Sequence, residues 1–298
     1  MKEFKNKVAF ITGSAHGFGK AIAQKAASRG MKLVLVDQDE EALNKVTDEL
    51  SKTTEVLKIV ADVTEENNIY DAVDKAMDQF SEIDLLVNDA GVAVPGPIWE
   101  LPTRDWEWIL HADLMSQVYA LRKVIPIMMK QENGGDILNV ASAAGLLTAP
   151  GMPAYYATKF AVVGMSEAVA YDLQAYKQDK IHIHVFTPAF VQTHLMHSEE
   201  YRPAKYTDKT DPYYQSKAFK MGQKMAVKDL TTGLPMDTVP DTIFKGLENN
   251  DFYILTHKGI APLVVKRAKD AVEGKAPNLA ELMKYPDKTH TDTTLTEF

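Results

Sequence analysis

The amino-acid sequence predicts an α/β fold: a doubly wound parallel sheet of about seven strands, built as one domain. Three observations predict it. Short apolar runs alternate with helical stretches from Lys7 to about His257 without a linker-like break. A glycine-rich turn, Gly13-Ser-Ala-His-Gly17-Phe-Gly19, joins the first apolar run to the first helical stretch. The polar residues capable of chemistry follow the carboxyl ends of the apolar runs, where ligands bind in open α/β sheets.

Lys7-Val-Ala-Phe-Ile-Thr12 is an apolar run of the kind that suits a parallel strand covered on both faces. Glycines in the turn that follows let the main chain approach a phosphate closely. The N-terminus of the alanine-rich helix expected over 18–29 supplies N–H donors and positive potential. The second strand, Met31-Lys-Leu-Val-Leu-Val36, delivers Asp37 to a position where a carboxylate can bind the ribose hydroxyls of an adenine nucleotide. Strands expected over 55–61, 84–88, 135–141 and 181–187 lead to Asp62, to Asn88-Asp89-Ala90-Gly91, to Ser142 and to Pro188. A last strand is expected over 252–256. Helices over 39–51, 65–80, 103–131, 153–177 and 238–249 make the connections, right-handed as such crossovers are.

Two stretches leave this alternation. Residues 190–238 set Met196, Tyr201, Tyr206, Tyr213, Tyr214, Phe219, Met221 and Met225 among charges. That composition suits a lid of short helices ordering over a substrate, with an oligomer-facing excursion as the alternative. Residues 258–298 are expected to form a C-terminal extension: a helix over 261–273, a second over 278–284 and a polar tail. Residues 1–257, lid included, then form the main domain.

Bulk properties exclude several classes. A net charge of −8 with no basic stripe argues against a nucleic-acid partner. The first residues lack an apolar core and no run approaches ~20 apolar residues, so a cytoplasmic protein without membrane spans is expected. The absence of cysteine excludes disulfides, thiol nucleophiles and thiolate metal sites. The pairs His182 with His184 and His194 with His197 lack a convincing set of carboxylate partners, so no metal site is expected.

The chemical signal is Tyr155 and Lys159, four residues apart, with Ser142 thirteen before the tyrosine. On a helix, positions i and i+4 share a face, so phenol and ammonium can point into one cavity. A neighbouring cation favours phenolate and lowers a tyrosine pKa that is ordinarily near ~10, making the hydroxyl an acid and base near neutral pH. Tyr156 stands three residues from Lys159, and only Tyr155 satisfies both spacings.

Thr12-Gly13-x-x-x-Gly17-x-Gly19, Asp62-Val63, Asn88-Asp89-Ala90-Gly91, Ser142, Tyr155-x-x-x-Lys159 and Pro188-Ala-Phe-Val-Gln-Thr193 occur in order. Together they resemble the short-chain dehydrogenase/reductase family, with its Rossmann-like fold, over about Lys5 to Tyr253. The resemblance implies that Tyr155 is the general acid in ketone reduction and the base in alcohol oxidation. It implies that Lys159 holds the nicotinamide ribose as well as tuning the phenol, and that Ser142 hydrogen-bonds the substrate oxygen. It implies a cofactor cleft lined by Gly13, Ala15, His16, Gly17, Phe18, Gly19, Asp37, Asp62, Val63, Asn88, Ala90, Gly91, Pro188, Val191 and Thr193. Asp62 has a second reading as a helix N-cap, since Thr64-Glu-Glu follows.

Asp37 would repel the 2′-phosphate of NADP(H), and Gln38, Asp39 and Glu40 offer no cation to offset it, so NAD(H) is the expected cofactor. Two positions depart from the family pattern. Asp89 stands where the second asparagine of Asn-Asn-Ala-Gly is usual, and Asp113 stands where the family places a relay asparagine. A carboxylate accepts hydrogen bonds but cannot donate as an amide does; ionised and buried, it would raise the pKa of Lys159.

Val92, Val94, Leu146, Leu147, Met152, Phe190, Leu195 and Met196 are candidates to wall the substrate pocket. With the lid, they suggest a bulky hydrophobic small molecule such as a hydroxysteroid. A terpenoid or cyclic dione, or a non-catalytic NAD(H)-binding sensor or scaffold, are the alternatives. The resemblance also implies a homodimer or homotetramer formed through the helices over 103–131 and 153–177.

Overall fold

A computed structural model describes residues 1–282, with all their side chains except those of Met225, Ala226 and Asp229. The polar tail and the end of the helix expected over 278–284 lie outside the described residues. Seven parallel strands form one sheet in the order β3-β2-β1-β4-β5-β6-β7: Val8–Thr12 (β1), Lys32–Asp37 (β2), Val56–Val60 (β3), Leu85–Asn88 (β4), Gly135–Val140 (β5), Ile181–Thr187 (β6) and Tyr253–Leu255 (β7). The strand order reverses between β1 and β4. The chain leaves β1 and β4 toward opposite faces of the sheet, and at such a switch point open sheets bind ligands beyond the carboxyl ends of the strands.

Strand alternation explains the layers. Ala9 and Ile11, Leu33 and Leu35, and Leu85 and Val87 face one side and pack with Ala23, Leu43, Phe244 and Leu247. Val8, Phe10, Val34, Val36 and Leu86 face the other and pack with Ile69, Val73, Leu121, Val124 and Leu173. The first layer is made by Gly17–Ser28 (α1), Glu40–Leu50 (α2) and, later in the chain, Val239–Asn249; the second includes Glu66–Phe80 (α3). Helix α2 starts where a sequence rule places it: Asp39 accepts from Ala42 N at 3.1 Å, with Glu40 and Glu41 in the first turn.

The stretch 103–131, expected as one helix, is divided. Thr103–Ile109 (α4) passes into a π-helical turn, Leu110–Met115, and then into Ser116–Lys130 (α5). A π turn inserts an extra residue and rotates the side chains that follow it, and it is a common device at functional sites. Here it carries Asp113 into the interior. Pro153–Ala175 (α6) carries Tyr155 and Lys159, and opens with proline at its first position, where the missing N–H goes unneeded.

The stretch 190–238, expected as a lid and so named below, is made of short helical pieces: Leu195–Tyr201, Ala204–Tyr206, Pro212–Gln215, the longer Lys217–Thr231 (α7), and Met236–Thr238. Val239–Asn249 (α8) leads to β7. Ala261–Val272 (α9) and Leu279–Leu282 (α10) follow, where helices were expected over 261–273 and, as far as the described residues go, over 278–284. No described helix is long and apolar enough to cross a membrane.

Candidate active site

Ser142, Tyr155 and Lys159, the trio expected to be catalytic, are brought together by the end of β5 and the start of α6. Ser142 leaves β5 with its Oγ accepting from Ala144 N at 3.1 Å and lying 3.3 Å from Pro188 O, which ties the ends of β5 and β6 together. Tyr155 and Lys159 project from one face of α6. The phenol hydrogen-bonds with Ser142, and Lys159 Nζ lies 5.4 Å from the centre of the Tyr155 ring. Lys159 is 4 % exposed and reaches Val140 O at 3.4 Å.

Asp113 completes the group. Its Oδ2 lies 3.1 Å from Lys159 Nζ, and its Oδ1 accepts from Val92 N at 2.7 Å. The contact is chiefly Coulombic, with a hydrogen bond adding to it. Burial drives the Asp113 carboxyl upward in pKa while Lys159 pulls it down, leaving it above the ordinary value. Burial lowers Lys159, but Asp113 and Tyr155 outweigh it and keep the ammonium charged. Asp113 thus raises Lys159 as its charge and burial require.

The expected lowering of the Tyr155 pKa is corrected by the geometry. Burial pushes the phenol up and Lys159 pulls it down; Asp113 pushes it up again, and the Ser142 hydrogen bond only partly offsets this. The balance leaves it above its ordinary value. The sequence reading counted the cation and left out burial and the carboxylates of Asp113 and Asp89.

The glycine loop sits against β4. Thr12 Oγ1 accepts from Asp89 N at 3.1 Å and Ala90 N at 3.3 Å, which fastens the two loops across the switch point. Gly13, at φ +68, faces Ala90 so closely that a Cβ would come within 2.9 Å of its backbone. Gly17, at φ +49, opens outward: a Cβ there would meet only Thr193, at 3.9 Å. Asp89 Oδ2 accepts from Gly19 N at 2.7 Å. Although the residue is not fully enclosed, desolvation pushes its carboxyl up to about 7.

Asp37 ends β2 as expected. Its Oδ2 accepts from Ala15 N at 2.9 Å and its Oδ1 from Asp39 N at 3.0 Å, and burial raises its pKa. Asp62 Oδ1 accepts from Thr64 N at 2.9 Å, closing a turn ahead of α3, whose N-cap is Glu65. Four expected cofactor residues point their side chains elsewhere. Asn88 Nδ2 donates to Asn139 Oδ1 at 2.8 Å, bracing β4 against β5. Phe18 packs edge-on against Phe186, 5.3 Å between centroids; Val63 packs in the second layer; Val191 is buried in the first.

A dinucleotide fits this cleft. No side chain caps α1 at His16, and apart from Gly19 N, which donates to Asp89, the first-turn N–H groups and their positive potential face the glycine turn. Gly17, at a positive φ that suits glycine and open to solvent, leaves the approach clear. Asp37 stands at the ribose end and Lys159 at the chemical end.

Several functional contacts were absent from the sequence reading. His16 Nε2 pairs with Asp39 Oδ2 at 2.8 Å, and Tyr201 of the lid hydrogen-bonds the same carboxylate while its ring lies 5.3 Å from that of His16. One residue on, Arg202 pairs with the buried Asp105 and stacks 4.0 Å over Trp108, and Tyr214 donates to Asp105 at 2.9 Å. Tyr213 bonds Pro95 O. The lid is thereby clasped to the glycine loop on one side and to α4 on the other. Beneath it, Val92, Val94, Trp108, Tyr206 and Tyr213 form an apolar cluster that includes Tyr155. Among the described residues, no group of three histidine or acidic side chains converges to hold a metal ion.

Comparison with known proteins agrees with this geometry. The family model described as short chain dehydrogenase matches residues 7–203. A "CLA biosynthesis dehydrogenase/reductase" of Lactiplantibacillus plantarum is 59 % identical over 280 residues, 94 % of this chain and 98 % of that protein. A "3beta-hydroxysteroid dehydrogenase 2" of Eggerthella lenta is 35 % identical over 191 residues, 63 % of this chain and 72 % of that protein. The crystal structure of a short chain dehydrogenase/reductase of Burkholderia phymatum in complex with NAD superposes with a TM-score of 0.89 at 35 % identity, covering 93 % of this chain and 98 % of that one. The matched span runs through the glycine turn, the switch point and the Tyr155 helix alike, and this chain belongs to the short-chain dehydrogenase/reductase family of oxidoreductases.

Proposed function

We propose that the protein interconverts a secondary alcohol and a ketone on a bulky apolar substrate, with NAD(H) as cofactor. The observation that carries this reading is the Tyr155 phenol, hydrogen-bonded to Ser142 and facing Lys159, set into an apolar wall under the lid. A nicotinamide cofactor held by the glycine turn, Asp37 and Lys159 would supply the hydride chemistry. The residues of the chain handle the proton. In reduction, Ser142 and Tyr155 hydrogen-bond the carbonyl oxygen, and Tyr155 transfers its proton as charge develops there. In oxidation, Tyr155 takes that proton back, and Lys159 stabilises the phenolate. The carboxylate of Asp37 supports NAD(H) over NADP(H), since a 2′-phosphate would face a charge with no neighbouring cation.

The substrate class is weighed by the relatives. The protein matched along nearly its whole length is named for CLA biosynthesis, and CLA read as conjugated linoleic acid is a long-chain fatty acid. The steroid enzyme matches over a shorter span at lower identity. A hydroxy or oxo fatty acid therefore ranks ahead of a hydroxysteroid, and both suit the apolar cluster around Tyr155. A cytoplasmic location and self-assembly through α5 and α6 belong to the same proposal. Tyr171 and Tyr176, 72 % and 74 % exposed on and just past α6, support the assembly.

The test follows NADH oxidation with oxo fatty acids, 3-oxosteroids and small polar ketones. Turnover of the fatty-acid series above the others supports the reading, steroid preference reverses the ranking, and turnover of small polar ketones alone contradicts it. Tight NADH binding without turnover of any ketone would favour the sensor or scaffold alternative.

A further inference from the structure

Two features on the rim of the apolar cluster have no part in the chemistry derived so far. The first is a loop tip. After β4 the chain runs Gly96-Pro97-Ile98-Trp99, and Ile98 and Trp99 are 60 % and 81 % exposed, while Leu101 is buried in the cluster that includes Tyr155. The second is the outer face of α7. Lys217, Lys220, Lys224 and Lys228 follow one another at spacings of three and four, which gathers them within about 80° of the helix circumference.

All four lysines are exposed, and among the described residues none makes an ion pair. Arg202 and Lys205, earlier in the lid, are by contrast paired with Asp105 and Glu199 and with Glu65. Taken in line, the four lysines form no basic run; wound into α7 they form a stripe on a chain whose net charge is −8. Met221 and Val227, both exposed, border the stripe on its two sides. The two features adjoin. Gly222 of α7 lies so close to Pro95 that a Cβ would come within 2.7 Å of it, and Tyr213, just ahead of α7, bonds Pro95 O. Trp99 follows Pro95 by at most about 14 Å of extended chain.

A projecting tryptophan suits a boundary that is apolar on one side and wet on the other. Lysines flanked by apolar side chains suit an anionic bilayer, where their stems lie along lipid and their ammonium groups meet headgroup phosphates. A second copy of the chain fits poorly, because a symmetric contact sets the stripe against itself, lysine on lysine. An acidic protein would answer the charge alone; the apolar tip beside it favours lipid. We propose that Ile98, Trp99 and the lysine face of α7 dock on an anionic lipid bilayer, and that the apolar substrate reaches Tyr155 from it. Such docking is peripheral and needs no membrane span. The delivery half rests on the alcohol–ketone reading above; the docking half does not.

Cosedimentation of the full chain with lipid vesicles tests the docking without turnover. The protein should sediment with mixed phosphatidylcholine and phosphatidylglycerol vesicles, stay in solution with phosphatidylcholine alone, and be released by high salt. Trp99 is far more exposed than Trp106 or Trp108, so binding should shift the tryptophan emission to the blue, and Trp99→Ser should abolish that shift. Each Lys→Gln change among the four should weaken binding about fivefold. Lys220→Glu combined with Lys224→Glu should remove it, with NADH affinity unchanged. No binding to the anionic vesicles, equal binding to neutral ones, or binding that survives the double reversal overturns the proposal. A change of oligomeric state in that variant, read by light scattering, assigns the face to a second copy and also overturns it.

Kinetics test delivery on any apolar ketone that is turned over. With the ketone held in anionic vesicles, the double reversal should raise KM roughly tenfold, and it should leave KM for a water-soluble short-chain ketone unchanged. An unchanged KM in vesicles overturns delivery. Failure to oxidise NADH with any ketone defeats the alcohol–ketone reading and delivery with it, while docking stands or falls by sedimentation.

Discussion

Lys159 Nζ and Asp113 Oδ2 lie 3.1 Å apart, both side chains closed off from solvent. The pair has two effects on the neighbouring phenol. Lys159 favours phenolate, and Asp113 opposes it while keeping Lys159 charged. A neutral amide at this position would leave the first effect and remove the second.

Asp113→Asn should therefore move the pH profile of alcohol oxidation. Oxidation needs the Tyr155 phenolate as base, so kcat/KM rises with pH through the Tyr155 pKa. Asp113 raises that pKa, and removing its charge shifts the inflection toward lower pH. The asparagine Oδ1 can still accept from Val92 N, so the fold is preserved. An inflection that stays in place or moves upward contradicts the account.

Asp89 predicts a stability slope. Its folded pKa of about 7 lies above the value of an exposed aspartate, so the folded chain binds more protons than the unfolded one between these values. Stability from this group is greatest at acid pH and declines as pH rises toward and through 7. Asp89→Asn should flatten that decline and leave the variant more stable than wild type near pH 8. Melting temperatures of the two proteins from pH 5 to 8 check it, and parallel curves would refute it.

The lid clasp predicts a separation of KM from chemistry. Arg202→Leu leaves Asp105 buried without its cation, and breaking such a pair costs about 3–5 kcal/mol. Because Arg202 also stacks on Trp108, the loss should fall on the lid and its seat on α4. Hydrogen exchange across 195–231 should quicken and KM for the apolar substrate should rise, with NADH affinity changed less. Unaltered exchange in the lid would show that Arg202 does not hold it.

Cofactor choice can be tested at one carboxylate. Asp37→Ala removes the charge facing a 2′-phosphate and should relax the NAD(H) preference roughly 10- to 100-fold, read as the ratio of kcat/KM values. A ratio that does not change would place the discrimination elsewhere, with the His16–Asp39 pair as the next candidate.

The sheet was legible because its signals are local. All seven strands fall where the apolar runs place them, since a parallel strand covered on both faces writes its burial into consecutive residues. Tyr155, Lys159, Ser142 and Asp37 were legible because fixed spacing on a helix, or a fixed place after a strand, determines where each side chain goes. The π turn was not legible. It depends on how α4 and α5 meet the lid and α6, and residues 103–131 read as one helix by periodicity. Asn88 and Phe18 sit in the right loops, but whether their side chains turn to the cleft or the core is decided by Asn139 and Phe186, far away in the chain. The raised Tyr155 pKa escaped for a similar reason: sequence spacing shows the cation, and only three-dimensional enclosure shows the desolvation that outweighs it.

The central claim is that Tyr155 exchanges a proton with the substrate oxygen while hydride joins or leaves the adjacent carbon. Mass spectrometry of the alcohol formed from an oxo fatty acid and NADH deuterated at the transferred position tests it most directly, run beside Tyr155→Phe. The account predicts one deuterium on the carbinol carbon with wild type, and a rate lower by roughly 10²–10⁴ with the variant, at unchanged NADH affinity. Product without deuterium, or a Tyr155→Phe protein as fast as wild type, would contradict it.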